Sequence, residues 1–232
     1  MKLLAIDTST DACSAALLQD DTVLSCFQLA PRRHADLILG MVQGLLDESG
    51  LHLQQLDALA FSRGPGSFTG LRIAAGVAQG LAFAMDLPVI PVSSLATMAQ
   101  QCWQEQKKSS VLAGLDARLG EVYWGQYALN HENMCLLGQE RVCHPDAVSV
   151  PEGKNWYGAG PAWAAYPREL AARLGNHCRA YDGGLLPNAR YMLELARQDW
   201  QNGNVFPADQ AVPVYLRDKV TDTGAASPVS RG

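Results

Sequence analysis

The stretch from Leu71 to Met85 carries only two polar side chains, Arg72 and Gln79. At 100° per residue these fall about 20° apart on a helical wheel. The remaining positions are Leu, Ile, Val, Phe, Met, Ala or Gly. A helix that is apolar nearly all round should be buried nearly all round, so other elements must surround this one. Gly76, Gly80 and Ala84, spaced by four, form a flat strip where another backbone can lie close. The strongly apolar part, Ile73 to Met85, is too short to span a bilayer. It follows an apolar strand, Leu56 to Phe61, and a loop from Ser62 to Gly70 that contains Gly64, Gly66 and Gly70. Thr69 is placed to cap the helix.

Around this unit the chain reads as α/β. Leu3 to Ile6, Ala12 to Leu18 and Thr22 to Leu29 are three apolar runs separated by turn residues, which predicts an antiparallel meander. Arg33 to Ser49 reads as a helix closed by Gly50. Its apolar side chains, among them Leu37, Ile38, Met41, Val42 and Leu45, cover about 200° of the wheel, wider than the roughly 100° needed to dock on one core. The excess points to a second face that meets something else. Pro88 to Val92 reads as a strand, and Ser94 to Gln106 as a helix capped by Ser93 or Ser94. The best boundary lies at Lys107 to Ser110. Beyond it the opening pattern returns: Val111 to Asp116, then Glu121 to Ala128, echoes Leu3 to Asp7, then Ala12 to Leu18. The expected organisation is an N-terminal lobe over 1–106, a smaller C-terminal lobe over 107–217, and a disordered tail over 218–232, which is small and polar. In the second lobe Leu136 to Cys143 reads as a strand, and Trp156 to Pro161 as a strand running into a glycine turn. Pro167 to Leu174 and Ala189 to Asn202 read as helices, and Pro213 to Arg217 as an extended segment.

Composition narrows the function. The 232 residues are 48% apolar and 18% charged, which is a globular balance. Lys and Arg number 18 against 23 Asp and Glu, a net charge of −5. A chain that grips nucleic acid alone carries a basic face to displace counterions, so autonomous RNA or DNA binding is disfavoured. The six cysteines form no CxxC pair and read as free, buried thiols, which with the absence of a signal-like leader predicts a cytoplasmic protein.

Candidate chemistry is sparse. The glycine loop misses both the dinucleotide and the Walker spacing. A strand, glycine loop and helix can still present N–H groups to an anion, or the glycines can simply allow a tight turn. Asp7 and Asp116 end equivalent strands; each can orient a cation or water, or close a turn on its own backbone. No two histidines lie close enough for a helical metal pair, and His34 reads as exposed.

Four blocks carry a family resemblance. Leu4 to Thr10, Gly64 to Ile73, Leu115 to Tyr123 and Pro213 to Arg217 resemble, in order, the bacterial TsaB (YeaZ) family. The resemblance implies a duplicated actin/Hsp70-like (ASKHA, RNase H-like) fold with two mixed-sheet lobes, the second reduced. It also implies a role in placing threonylcarbamoyl on N6 of adenosine 37 in tRNAs reading codons that begin with A. TsaD, itself an ASKHA protein, transfers the group from threonylcarbamoyl-adenylate, and the ATPase TsaE joins the complex. TsaD carries a His-x-x-x-His metal pair whose positions correspond here to Ser94 and Met98, poor replacements for such ligands. The resemblance therefore implies a non-catalytic subunit that binds no cofactor alone, with ATP and metal on other subunits and tRNA met only within the complex. It assigns a partner surface to Leu37, Ile38, Met41, Val42, Leu45, Leu71, Ile73, Gly76, Val77, Gly80, Leu81 and Ala84. That surface would meet TsaD, or a second copy when TsaD is absent, as a four-helix bundle. A vestigial phosphate loop would comprise Asp7, Thr8, Ser9, Gly64, Gly66, Ser67 and Asp116. The alternative is an ATP-dependent enzyme of the actin-like kinase type.

Overall fold

The computed structural model describes residues 1–217, so the tail expected over 218–232 lies outside the described residues. Strands β1 (Lys2–Asp7), β2 (Ala12–Gln19) and β3 (Thr22–Leu29) form the antiparallel meander that their alternation predicts. Helix α1 (His34–Ser49) leads to β4 (Ala58–Gly64), which adds parallel to β1. Helix α2 (Phe68–Met85) then leads to β5 (Val89–Ser93), parallel to β4, giving the order β3-β2-β1-β4-β5.

The same construction follows a second time. After α3 (Ser94–Gln106), strands β6 (Ser110–Arg118), β7 (Glu121–Asn130) and β8 (Asn133–Leu136) make a meander. A short strand β9 (Arg141–Cys143) returns to the same edge of β7. Strand β10 (Trp156–Ala159) pairs parallel with β6 and β11 (Cys178–Asp182) with β10, so the second order is β8-β7-β6-β10-β11. Matching each strand by rank reproduces the first sheet. The chain is a duplicated actin/Hsp70-like fold. Its second lobe is the reduced one: between β10 and β11 stand only α4 (Ala162–Ala165) and α5 (Pro167–Leu174), where the first lobe has the 18-residue α2.

The core has four apolar clusters, one on each face of each sheet. Leu4, Ile6, Leu17 and Phe61 meet α1 and α2 on the outer face of the first sheet. Its inner face, with Leu3, Ala5 and Ile90, is covered by α6 (Ala189–Gln201) through Met192 and Leu193. Conversely α3, from the first half of the chain, packs Leu95, Met98 and Ala99 on the second sheet. The central helices thus each cover the sheet of the opposite half and contact one another. Trp124, Trp156 and Trp163 fill the remaining face with α4 and α5.

Four local expectations are corrected. Helix α2 starts at Phe68, and Ser67 is its cap through Gly70 N–H, 3.4 Å away, whereas Thr69 lies inside the helix. His34 is buried, and its Nε2 has no hydrogen-bond partner among the described residues. The single strand expected over 136–143 is split into β8 and β9, because Gly138 turns with φ +82° and takes the chain out of the sheet. Strand β11, which has no strong alternation, was not foreseen.

That break lets Glu140 reach the first lobe. Its buried carboxylate accepts from the Tyr127 hydroxyl at 2.5 Å and from Ser93 Oγ, and pairs with Arg63 at 3.1 Å. Burial and the nearby carboxylate push the Tyr127 phenol well above its ordinary pKa, so it stays a donor. Ser93 also accepts from Leu95 and Ala96 N–H, so one residue caps α3 and ties the lobes. Removing one partner of a buried network leaves the others desolvated and unpaired. Glu140→Ala is expected to lower stability by about 3 kcal/mol. Urea unfolding at neutral pH measures this, and an unchanged midpoint would remove Glu140 from the account of how the lobes are held.

Candidate functional site

Two regions gather the residues that the sequence singles out. The first is the cleft between the lobes. The turn after β1 and the glycine loop after β4 meet at its floor. Ser67 N–H donates to the Ser9 carbonyl at 2.7 Å, and Thr8 Oγ1 donates to the Gly70 carbonyl at 2.7 Å. A Cβ at Gly66 would collide with the Ser9 carbonyl, and one at Gly70 with the Thr8 carbonyl. The glycines are therefore demanded by the close approach of the chain's own backbone. Ser9, Gly66, Ser67 and Asp116 line the cleft, whereas Asp7, Thr8 and Gly64 lie outside its lining.

The two strand-end aspartates do the same local work. Asp7 Oδ1 accepts from Ser9 N–H and from Ser9 Oγ, both at 2.8 Å. Asp116 Oδ1 accepts from Arg118 N–H at 2.9 Å, and Oδ2 pairs with the Arg118 guanidinium at 3.1 Å. Each closes a turn on the residue two positions on, which is a turn role and a signature of the duplication. The Thr8 and Ser9 carbonyls meet one side of the glycine loop, Ser94 and Met98 are buried in the core, and no group of metal-ligating residues occurs among the described residues.

The extended segment 213–217 bridges the cleft, a role with no signal in the sequence beyond its place in a recognisable block. Val214 N–H donates to the Arg63 carbonyl at 2.8 Å, and Arg72 Nε donates to the Tyr215 hydroxyl at 3.2 Å. The Phe68 and Tyr215 rings lie 5.5 Å apart. Arg217 pairs with Glu121 of the second lobe.

The second region is the outer face of α1 and α2, which pack side by side. Here the sequence expectation divides. Ile38, Val42, Leu45 and Leu71 are buried in the chain's own core and offer no open surface, which corrects their assignment to a partner face. Their side chains follow the inward stripes that dock each helix on the sheet. Leu37, Met41, Ile73, Val77 and Leu81 are half-buried, and Gly76, Gly80 and Ala84 are open. Gly40 and Gly44 of α1 and Gly76 and Gly80 of α2 have no heavy atom within 4 Å of a Cβ position. Phe83, outside the expected set, is 80% exposed. So α2, expected to be buried all round, buries Gly70, Leu71, Ala74, Ala75, Ala78 and Ala82 and leaves an apolar face open. Its 18 residues match a membrane span in length and composition, but its packing on β4 makes it a core helix.

Asp7 yields a test of its role. Burial raises its carboxyl from 3.8 to about 6, against hydrogen bonds from Ser9 and the nearby Ser62 hydroxyl that lower it. A raised value means that the native state holds the proton more tightly than the unfolded chain. Asp7 then favours folding below pH 4, and the benefit is lost as pH rises through about 6, by about 3 kcal/mol in all. Asp7→Asn keeps the Oδ1 acceptor and removes this loss. The variant is expected to gain stability over the parent between pH 4 and 7, read by denaturant unfolding at each pH. Parallel profiles would mean that Asp7 is ionised at no cost.

With this geometry in view, comparison with known proteins is direct. A family model described as TsaD, tRNA N6-adenosine threonylcarbamoyltransferase, matches residues 28–171. The Escherichia coli K12 protein described as tRNA threonylcarbamoyladenosine biosynthesis protein TsaB is 46% identical, over 95% of this chain and 96% of its own length. The Haemophilus influenzae protein of the same description is 43% identical, with 95% of each chain covered. A solved structure described as YeaZ from Pseudomonas aeruginosa superposes with a TM-score of 0.88 at 49% identity, over 93% of this chain and 99% of that one. The shared topology and near-full-length identity agree, and the chain belongs to the TsaB (YeaZ) family of tRNA threonylcarbamoyladenosine biosynthesis proteins.

Proposed function

We propose that this chain is a non-catalytic scaffold or activator subunit of the complex that transfers threonylcarbamoyl to N6 of adenosine 37 in tRNAs reading ANN codons. It binds the transferase TsaD through the outer face of α1 and α2, and TsaE joins the pair. ATP and metal act on the other subunits, tRNA is met only in the assembled complex, and the work is done in the cytoplasm. The observation that carries this reading is the open apolar face itself. Ile73, Gly76, Val77, Gly80, Phe83 and Ala84 present a continuous, uncharged strip beside Leu37, Gly40, Met41 and Gly44 of α1. Such a surface costs hydration free energy unless another helix pair covers it. A chain whose residues 28–171 match a TsaD model offers a natural pairing of like with like. A second copy of this chain would use the same face in the absence of TsaD. The alternative, an ATP-dependent kinase-like enzyme acting alone, gains no support from the glycines of the loop, because the close approach of the Thr8 and Ser9 carbonyls already requires them.

Gly80→Arg separates interface from fold. A Cβ at this position meets no heavy atom of the described residues within 4 Å, so the new side chain starts into open space. Replacing Gly in a helix adds about 1 kcal/mol of helix propensity. The isolated variant is expected to melt at or above the parental temperature by circular dichroism. Its capture of TsaD in a tagged pull-down is expected to fall at least about tenfold, equivalent to about 1.4 kcal/mol. Val77→Asp should act likewise but also disturbs the half-buried contact to the core. Undiminished capture by Gly80→Arg would sink the interface assignment.

A further inference from the structure

We propose that the free edge of β3 is a docking surface for the same edge of a second copy of this chain, the two strands pairing antiparallel about a twofold axis. A sheet edge offers a row of unpaired N–H and C=O groups, and proteins protect such edges with charge, proline, bulges, short strands or a covering segment. The other edges here follow that rule. Strand β5 contains Pro91 and is covered by Phe206, whose backbone exchanges two hydrogen bonds with Val89. Strand β8 has four residues, and β9, on the same edge of β7, has three. Strand β11 carries Arg179 and Asp182 within its five residues. Strand β3 has none of these devices. Its eight residues, Thr22–Leu29, include no charge, no proline and no glycine, and they pair with β2 in unbroken register. Helices α1 and α6 hold the strand from both faces, through Leu24 and Cys26 in the outer cluster and Val23 in the inner one. What stays open is the edge, with Phe27 45% and Leu29 64% exposed.

Charge selects this occupant. The turn that enters β3 carries Asp20 and Asp21, and the turn that leaves it carries Arg32 and Arg33; all of these are exposed. Asp20 holds the Met1 ammonium, whereas Asp21, Arg32 and Arg33 form no ion pair among the described residues. In an antiparallel pair of identical strands the acidic turn of each copy lies beside the basic turn of the other, so the edge is complementary to itself. Parallel pairing would set like charge against like. Successive side chains alternate between the faces of a sheet, so opposed residues share a face only when the twofold pair centres on a residue and not between two. Centred on Cys26, the pairing sets Val23 opposite Leu29, Ser25 opposite Phe27 and Leu24 opposite Gln28, and it covers the exposed Phe27 and Leu29. The inference is independent of what covers α1 and α2, which pack on the outer face of the sheet.

The test is sedimentation velocity over a concentration series, on the full chain carrying Gly80→Arg so that association through α1 and α2 does not contribute. The expected result is a concentration-dependent dimer that weakens as salt rises. Phe27→Lys puts charge on the edge and is expected to lower the association constant at least about tenfold, with the circular-dichroism melt unchanged because this side chain is exposed. Asp21→Lys and Arg32→Glu each set like charges at both ends of the pair, and each alone is expected to weaken the dimer about tenfold. An equimolar mixture of these two variants is expected to recover the dimer, because each then meets the opposite charge on the other; damage to the fold of either cannot produce that rescue. A chain that stays monomeric at every concentration would overturn the second copy as occupant. Dimerisation unchanged by Phe27→Lys would place the contact elsewhere, and a mixture no tighter than its components would overturn the antiparallel pairing.

Discussion

The contact between two loops organises this molecule. The turn that ends β1 presses its Thr8 and Ser9 carbonyls against the glycine loop that ends β4, closely enough that neither Gly66 nor Gly70 could carry a Cβ. Two hydrogen bonds seal the junction, Ser67 N–H to Ser9 and Thr8 Oγ1 to Gly70. Because β1 and β4 are neighbouring parallel strands, this junction also sets where α2 begins and which of its faces turns inward. Ala74, Ala75, Ala78 and Ala82 go to the sheet; Gly76, Gly80 and Ala84 go to solvent. One close approach therefore decides both the floor of the cleft and the outward strip of α2.

The same contact explains why a glycine-rich loop does not by itself announce phosphate binding. A strand, glycine loop and helix N-terminus can cradle an anion when the loop's N–H groups point into free space. Here the chain supplies its own carbonyl oxygens at that place. Spacing alone leaves both roles open, since a loop needs glycine equally for a ligand's approach and for its own backbone's approach. Only the partner across the gap distinguishes them.

The fold was legible where pattern and burial share one cause. The meander, α1 with its Gly50 terminus, and the echo of Leu3 to Asp7 in Val111 to Asp116 all follow from alternation, capping and repetition. The repeat extends further than the residues reveal, to identical strand orders in both sheets. What escaped depends on long-range contact. Glu140 looks like one charge in a polar run, yet it meets Arg63, Ser93 and Tyr127 from three other elements. Strand β11 is exposed along three of its five positions and so lacks a period-two signal. The exchange of α3 and α6 between sheets is a property of the packed pair and has no local trace. For the candidate interface, apolar character alone could not separate Ile38 and Val42, which face the core, from Gly40 and Gly44, which do not.

The open apolar face and the floor of the cleft are linked through α2. Phe68 and Arg72 on its first turns hold Tyr215 of the bridging segment, while Gly76, Gly80 and Phe83 further along form the outward strip. The cleft wall and the strip are thus parts of one rigid helix packed on β4. A helix cannot shift one end and keep the other fixed without breaking its hydrogen-bonded turns, so a partner that moves α2 must also move Phe68 against Tyr215. The Glu140 network and the Arg217–Glu121 pair oppose such movement by tying the second lobe to the first directly and through segment 213–217. Among the described elements α2 is the one that both regions share, so it is the direct route by which the outer face and the cleft can be coupled.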